Sequence, residues 1–303
     1  MAILDELQQA VTDVSGKVGP AVVRIGRGPG CGAGVVIAAD TVATNAHNLR
    51  GEEVAVGFSD GRTETGRLAG VDVDGDLAVV TVPTAAITPV EWGEAVVTGS
   101  PVFALTLSRD GGVRVSFGLV SNVGQSFRGP RGRRIAGSFE HTAPMRRGSS
   151  GGPVVDGSGR VVGINTNRMG DGFYLALPAD DSLRGRLAAL AKGESPAHVH
   201  LGVALAPAGA ARHLRRAVGL SERDGLLVRG VQEDSPASRA GLREGDLIVG
   251  AGERDVTRME DLHTVLDGVA SGGSITLQVL RATDETEVVV ELPAGTQDEP
   301  DPD

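Results

Sequence analysis

Only one of the 303 residues, Cys31, is a cysteine. No disulfide can close within the chain, so burial and hydrogen bonding must hold the fold, and it makes no demand for an oxidising compartment. Cys31 itself, in GPGCGAG, reads as a small filler. Aromatic residues are also scarce, at 3% with a single Trp and a single Tyr, so Val, Leu, Ile and Ala must fill the cores. Basic residues are outnumbered 29 to 39, for a formal charge of −10. That balance opposes nucleic acid as a partner, since such affinity comes from neutralising phosphates. Arg128, Arg131, Arg133 and Arg134 are a local exception and read as a solvated loop. No apolar run approaches the roughly 18 residues of a membrane span. The opening MAILDELQQAVTD lacks a basic segment followed by an apolar one. Read as it stands, the chain is expected to be cytoplasmic, or extracytoplasmic if a leader has been trimmed.

What the chain has in quantity is glycine, 45 residues, spaced among short valine-rich runs. Leu4, Leu7, Val11 and Val14 recur at helical spacing and predict a short helix over 5–19. From Val22 to about Val162, runs such as GVVIAADTVATN, PVFALTL and GPVVDGSGRVVGINT are separated by turn residues. This predicts an antiparallel barrel or sandwich. Asp180, Asp181 or Ser182 can cap a helix carrying Leu183, Leu187 and Leu190, which Gly193 ends. The expected organisation is one domain over 1–192, with 1–20 its helical segment, a linker at 193–199, and a small α/β domain over 200–293. That domain is expected as a strand in LGVAL, a strand in GLLVRGV, a helix start in DSPASRAG, a strand in DLIVGAG, a helix in RMEDLHTVL, and a closing strand pair. The acidic tail 294–303 is expected to be disordered.

The segment GSSGGPVV places Ser150 among glycines. A serine nucleophile needs a base, a carboxylate to orient that base, and donors for the oxyanion. His47, in VATNAHNL at a strand end, can serve as base. Asp76, in DVDGDLAVV, can orient it, with Asp72 and Asp74 as rivals. Flanking amides at Gly148 and Ser150 can supply donors. The text also satisfies G-x-S-x-G, but that elbow requires a following helix and the order Ser, Asp, His. Here a proline-led hairpin follows, and the later histidines lie in the linker or second domain. RGPGCGAG leads into a hairpin rather than a helix, so it is not a dinucleotide loop. His198 and His200 have no accompanying ligand set, so neither a metal nor a cofactor is expected.

TNAH, DLAVV, GSSGGPVVDGSGRVVGINT and YLALP resemble the trypsin-like HtrA (DegP-type) serine proteases, whose usual texts are TNAHV, DLAVL, GNSGGPL, VGINT and GFAIP. The resemblance covers residues about 10 to 293. It implies a mainly β fold, with a chymotrypsin-like double antiparallel β-barrel followed by a PDZ domain. It implies His47 as general base, Asp76 as its orienter, Ser150 as nucleophile, and an oxyanion hole at Gly148, Ser149 and Ser150. Asn165, Thr166 and Asn167 would pair with substrate backbone. In the PDZ domain, Leu201, Gly202 and Val203 would offer amides to a peptide C-terminus, with Val203 and Leu205 lining its pocket against LHTVL. The implied activity is ATP-independent cleavage of unfolded or misfolded proteins, with a preference for small or medium apolar residues before the cut. A homotrimer is implied too, although residues 1–20 contain no aromatic. The chain departs from the family at Ser149, where Asn is usual, at Thr142, where an acid is common, and at Phe173 and Tyr174, where small residues are frequent. A latent or non-catalytic chaperone or PDZ scaffold is the alternative reading.

Overall fold

Residues 2–292 are described by a computed structural model, apart from 29–30, 109, 130–133, 171, 196–200, 268 and 270–271. The linker centre, the acidic tail, Arg131, Arg133, His198 and His200 lie outside the described residues. The chain divides into two compact units, Met1–Ser195 and Pro196–Asp303.

The first unit opens with α1, Ala2–Val18. It begins before the expected start, and Leu4 is 71% exposed rather than part of the packed face. Val14 and Val18 are buried, and Leu7 and Val11 pack beside them. Six strands then close a barrel: β1 Val22–Ile25, β2 Gly32–Ala38, β3 Thr41–Thr44, β4 Glu53–Gly57, β5 Thr63–Asp72 and β6 Leu77–Thr81, in the order β1-β2-β3-β6-β5-β4. A second barrel follows from β7 Pro101–Leu107, β8 Val113–Arg128, β9 Arg134–His141, β10 Pro153–Val155, β11 Val161–Gly170 and β12 Phe173–Pro178, in the order β10-β11-β12-β9-β8-β7. Closure leaves no strand edge exposed.

Alternation along the strands distributes the core. Val23, Ile25, Val36, Val42, Val56 and Val80 fill the first barrel. Val102, Phe139, Val154 and Val162 fill the second. Val22, Val35, Leu77, Phe103, Leu105 and Ile164 form a third cluster, which also takes in α1 and the next helix. Strands buried on both faces explain why β2 and β6 read as near-continuous apolar runs. That helix is α2, Asp181–Ala191, capped where Asp180 accepts from Leu183 N–H at 2.8 Å. Such a cap contributes about 1 kcal/mol. Leu183, Leu187 and Leu190 are its buried face.

The second unit is a sheet of β13 Val203–Ala206, β14 Leu226–Val231, β15 Leu247–Ala251, β16 Arg254–Asp255, β17 Ser274–Arg281 and β18 Asp284–Glu291. Its order is β13-β14-β15-β17-β18, with β16 paired to β15. Three helices accompany it: α3 Ala208–Ala217, α4 Pro236–Arg239 and α5 Met259–Asp267. Sequence patterning missed α3 because its stripe is thin: Ala211 is its one fully buried apolar residue, with Leu214 packed partly beside it.

Candidate active site

His47 rides on a single 3-10 turn, Ala46–Asn48, that follows β3. Its Nδ1 lies 2.8 Å from Oδ1 and 3.0 Å from Oδ2 of Asp76, and its backbone N–H donates to Oδ1 at 3.2 Å. A carboxylate only accepts, so Nδ1 carries a proton and donates to it, and in the neutral imidazole Nε2 is the nitrogen with the lone pair. Asp76 is 1% exposed, with φ +53, in the loop between β5 and β6. Burial of a carboxylate is costly unless donors surround it. Besides His47, Thr166 Oγ1 donates to Oδ2 at 2.6 Å. Asn45 Nδ2 donates to the Asp76 carbonyl at 2.8 Å. Asp72 is occupied elsewhere. It pairs with Arg186 at 2.8 Å and accepts from Gly75 N–H, and Arg186 in turn donates to the Gly75 carbonyl. That clamp holds the loop on which Asp76 sits.

Ser150 lies in the turn between β9 and β10, on the second barrel. Its carbonyl accepts from Ala33 N–H at 2.8 Å and from Asn48 Nδ2 at 2.9 Å, both on the first barrel. The surrounding glycines are steric requirements. Gly151 has φ +88, and a Cβ there would stand 2.1 Å from the Ala33 carbonyl oxygen. Gly148 also has φ +88, and its Cβ would stand 2.7 Å from the carbonyl oxygen of Cys31. Left-handed backbone and close approach together leave room only for glycine. Ser149 N–H is spent on the Arg146 carbonyl at 3.3 Å. Among the described residues the amides of Gly148 and Ser150 have no protein acceptor.

The Ser150 hydroxyl donates to the Thr166 carbonyl at 2.7 Å rather than to the His47 ring. Asn165 serves the turn itself: its N–H donates to the Gly152 carbonyl at 2.9 Å, and its carbonyl accepts from Gly151 N–H at 2.7 Å. Both backbone groups of Asn165 are thus engaged within the turn. Asn167 is exposed, and its Oδ1 accepts from Arg168 N–H. His47, Asp76, Ser150 and Thr166 line one cavity of about 500 Å³, with Met145, Tyr174 and Leu175 among its apolar walls. Tyr174 is buried and its hydroxyl donates to the Met145 carbonyl at 3.1 Å. Phe173, by contrast, is 43% exposed and does not line the cavity.

His141 was not singled out in the sequence, where it had no motif around it. It is fully buried, stacked on Tyr174 with ring centroids 5.8 Å apart, and its Nε2 lies 2.9 Å from Asn165 Oδ1. Asn165 Nδ2 donates to Gly152, so its Oδ1 is an acceptor and His141 Nε2 donates. Nδ1 has no partner. Burial pushes the imidazole below its ordinary 6.5, while the Asn165 bond and the Glu140 charge oppose that shift. A folded-state pKa below the unfolded one means that acid favours the unfolded chain. The contribution is complete above about pH 6.5 and is lost as pH falls toward the folded value. Thermal stability is expected to fall with acidification between about pH 7 and pH 5, and His141→Gln is expected to flatten that slope. Parallel curves for the two proteins would remove His141 as the cause.

In the second unit Leu201 is buried, and Val203 and Leu205 are partly buried against a core that includes Leu262 and Leu266 of α5. Gly202 has φ +73, and a Cβ there would stand 2.2 Å from Ser235 Cβ. Its carbonyl accepts from Gln232 N–H, and that of Leu201 accepts from Ala237 N–H.

Two closed β-barrels with a serine, histidine and aspartate around one cavity, followed by a separate six-strand sheet with helices, define a trypsin-like peptidase domain joined to a PDZ domain. Residues 32–164 match the trypsin-like peptidase domain family and residues 200–292 the PDZ domain family. Over 283 residues the chain is 31% identical to a probable periplasmic serine endoprotease DegP-like of Brucella suis, covering 88% of this chain and 53% of that protein. It is 30% identical over 291 residues to the putative serine protease HhoA of Synechocystis, covering 88% of this chain and 71% of that one. The solved HtrA-type protease AlgW with decapeptide shares the fold, with TM-score 0.61, 23% identity, and coverage of 96% of this chain and 99% of that chain. The chain belongs to the HtrA/DegP family of trypsin-like serine proteases, and it spans about half the length of the Brucella relative.

One expectation is overturned. The cytoplasmic location conflicts with relatives named as periplasmic in Brucella and Halomonas, which point outside the cytoplasm. A cysteine-poor fold is indifferent to redox compartment, and an opening stretch without a leader's pattern does not report location. Among the described residues no helix is long and apolar enough to cross a membrane.

Proposed function

We propose that the chain is a serine endopeptidase that cleaves unfolded or misfolded polypeptides through an acyl-enzyme, without ATP. The reading rests above all on the 2.8 Å contact from His47 Nδ1 to Asp76 beside Ser150 in one cavity. His47 Nε2 would take the Ser150 proton as Oγ attacks the scissile carbonyl, then deliver it to the leaving amine. The unspent amides of Gly148 and Ser150 would receive the oxyanion. Water, activated by the same imidazole, would release the acyl group.

The resting hydroxyl must first leave the Thr166 carbonyl. A substrate laid along β11 offers a peptide N–H to that carbonyl and so competes with Ser150 for it. The exchange replaces one hydrogen bond worth about 1 kcal/mol with another of similar worth, and it frees Oγ to turn toward His47. This resting geometry is also what a latent scaffold would display. A fluorophosphonate probe separates the two. An adduct on Ser150, together with casein cleavage, supports the peptidase. No adduct and no cleavage, with C-terminal peptides added and the temperature raised, leaves the scaffold.

The second unit would bind peptide C-termini. β13 is the terminal strand of its sheet, so one edge is open to an added strand. Amides at Leu201, Gly202 and Val203 would meet the terminal carboxylate, and Val203 and Leu205 would contact the last side chain. The full chain is expected to bind a peptide with a free C-terminus at least about tenfold more tightly than its C-terminal amide. Equal affinity in a fluorescence titration would remove this role.

A further inference from the structure

In a chain with ten more acidic than basic residues, the cavity around Ser150 is lined by four arginines: Arg128, Arg146, Arg147 and Arg168. Among the described residues Asp76 is the single carboxylate in that lining, and it is buried and engaged by His47 and Thr166. Arg146, Arg147 and Arg168 are exposed, and none forms an ion pair with a carboxylate of the described residues. Arg146 and Arg147 directly precede Gly148. Arg168 follows Thr166 by two residues on β11, its guanidinium 6.0 Å from the centroid of the Tyr174 ring. The arginines thus come from the loop leading into the Ser150 turn, from the strand that runs past Ser150, and from the end of β8. Elsewhere on the surface some arginines are paired, as Arg62 is with Asp60, Arg160 with Asp156 and Arg258 with Asp261, while others such as Arg50, Arg114 and Arg229 stand singly rather than gathered around one cavity.

The guanidinium groups of Arg146, Arg147 and Arg168, without carboxylate partners beside a concave, partly apolar site, focus positive potential there. The acidic remainder of the chain is screened beyond about 8 Å at physiological ionic strength, so the local set dominates what a bound segment feels. Guanidinium is also suited to carboxylate, which it can meet with paired N–H donors.

We propose that this cleft selects acidic polypeptide segments, in which Asp or Glu side chains flank the cleaved bond and pair with Arg146, Arg147 and Arg168. The apolar walls at Met145, Tyr174 and Leu175 remain for the residue at the bond itself. The proposal rests on the peptidase reading for its consequence in cleavage, but its binding part can be tested separately.

The test uses the full chain and fluorescent peptides that share one apolar centre and differ only in flanking residues: Glu, Gln or Lys. All are C-terminally amidated, to keep them off the second unit. Binding is measured on the Ser150→Ala chain and hydrolysis on the unaltered one. The Glu peptide is expected to bind, and to be cleaved, at least about tenfold better than the Gln peptide at low salt. The Lys peptide is expected to be worst, and the spread should narrow as salt rises. In a chain carrying Arg146→Gln, Arg147→Gln and Arg168→Gln, with an unchanged melting temperature, the Glu-to-Gln ratio is expected to fall toward one. If the triple variant melts early, the three single variants give the same readout. Equal affinities for the Glu and Gln peptides would overturn the proposal, as would a ratio untouched by the substitutions. Selective binding without hydrolysis, in a chain that the fluorophosphonate probe also fails to label, would instead overturn the peptidase reading and leave the acidic preference standing.

Discussion

Ser150→Ala is expected to lower kcat by about a millionfold, the order seen when a serine nucleophile of this kind is removed, while the protein folds and melts almost as before. The reasoning is local. The hydroxyl makes one hydrogen bond, to the Thr166 carbonyl, in a site open to solvent through the cavity, so its loss costs about 1 kcal/mol or less. The bonds that place the turn come from the Ser150 carbonyl and the Gly151 and Gly152 amides, which alanine at position 150 leaves intact. Hydrolysis should therefore vanish while substrate binding and the melting temperature persist. Substantial residual cleavage in a purified variant would show that Ser150 is not the nucleophile.

Asp76→Asn should produce the next largest effect, a fall in kcat of about ten-thousandfold. The substitution is nearly isosteric and keeps an acceptor for the Thr166 hydroxyl. An amide, however, can present its NH₂ to the His47 ring, which would move the ring proton to Nε2 and remove the lone pair that must receive the Ser150 proton. The resulting pattern is specific: a large loss in kcat, little change in KM, and loss of fluorophosphonate labelling in proportion. A variant with near-normal turnover would mean that Asp76 only packs beside His47. Asp72→Asn provides the contrast. It breaks the pair with Arg186, so it should reduce stability more than the chemical step.

These two substitutions show where sequence and structure divide. The block DVDGDL offered three aspartates, and the local text does not rank them, because each can sit in a turn. Long-range partners do: Arg186 from α2 engages Asp72, and Thr166 from the other barrel donates to Asp76. Helix α2 was legible because its cap and leucine spacing are local. Helix α3 was not, since few of its residues are large and apolar. The role of the Thr166 side chain, and the burial of His141 behind the Ser150 turn, left no mark in local pattern.

Taken alone, the order of residues determined a mainly β chain with a second α/β unit, its family, and the short set of side chains able to do acyl transfer. Those are written in alternation, caps and contiguous motifs, which depend on near neighbours. Only the tertiary structure decided that the serine hydroxyl rests on a strand carbonyl, that one carboxylate of three meets the imidazole, and that arginines from separate segments of an acidic chain surround the same cavity. Each of those is a meeting of distant segments, brought about when the two barrels close and their loops face one another.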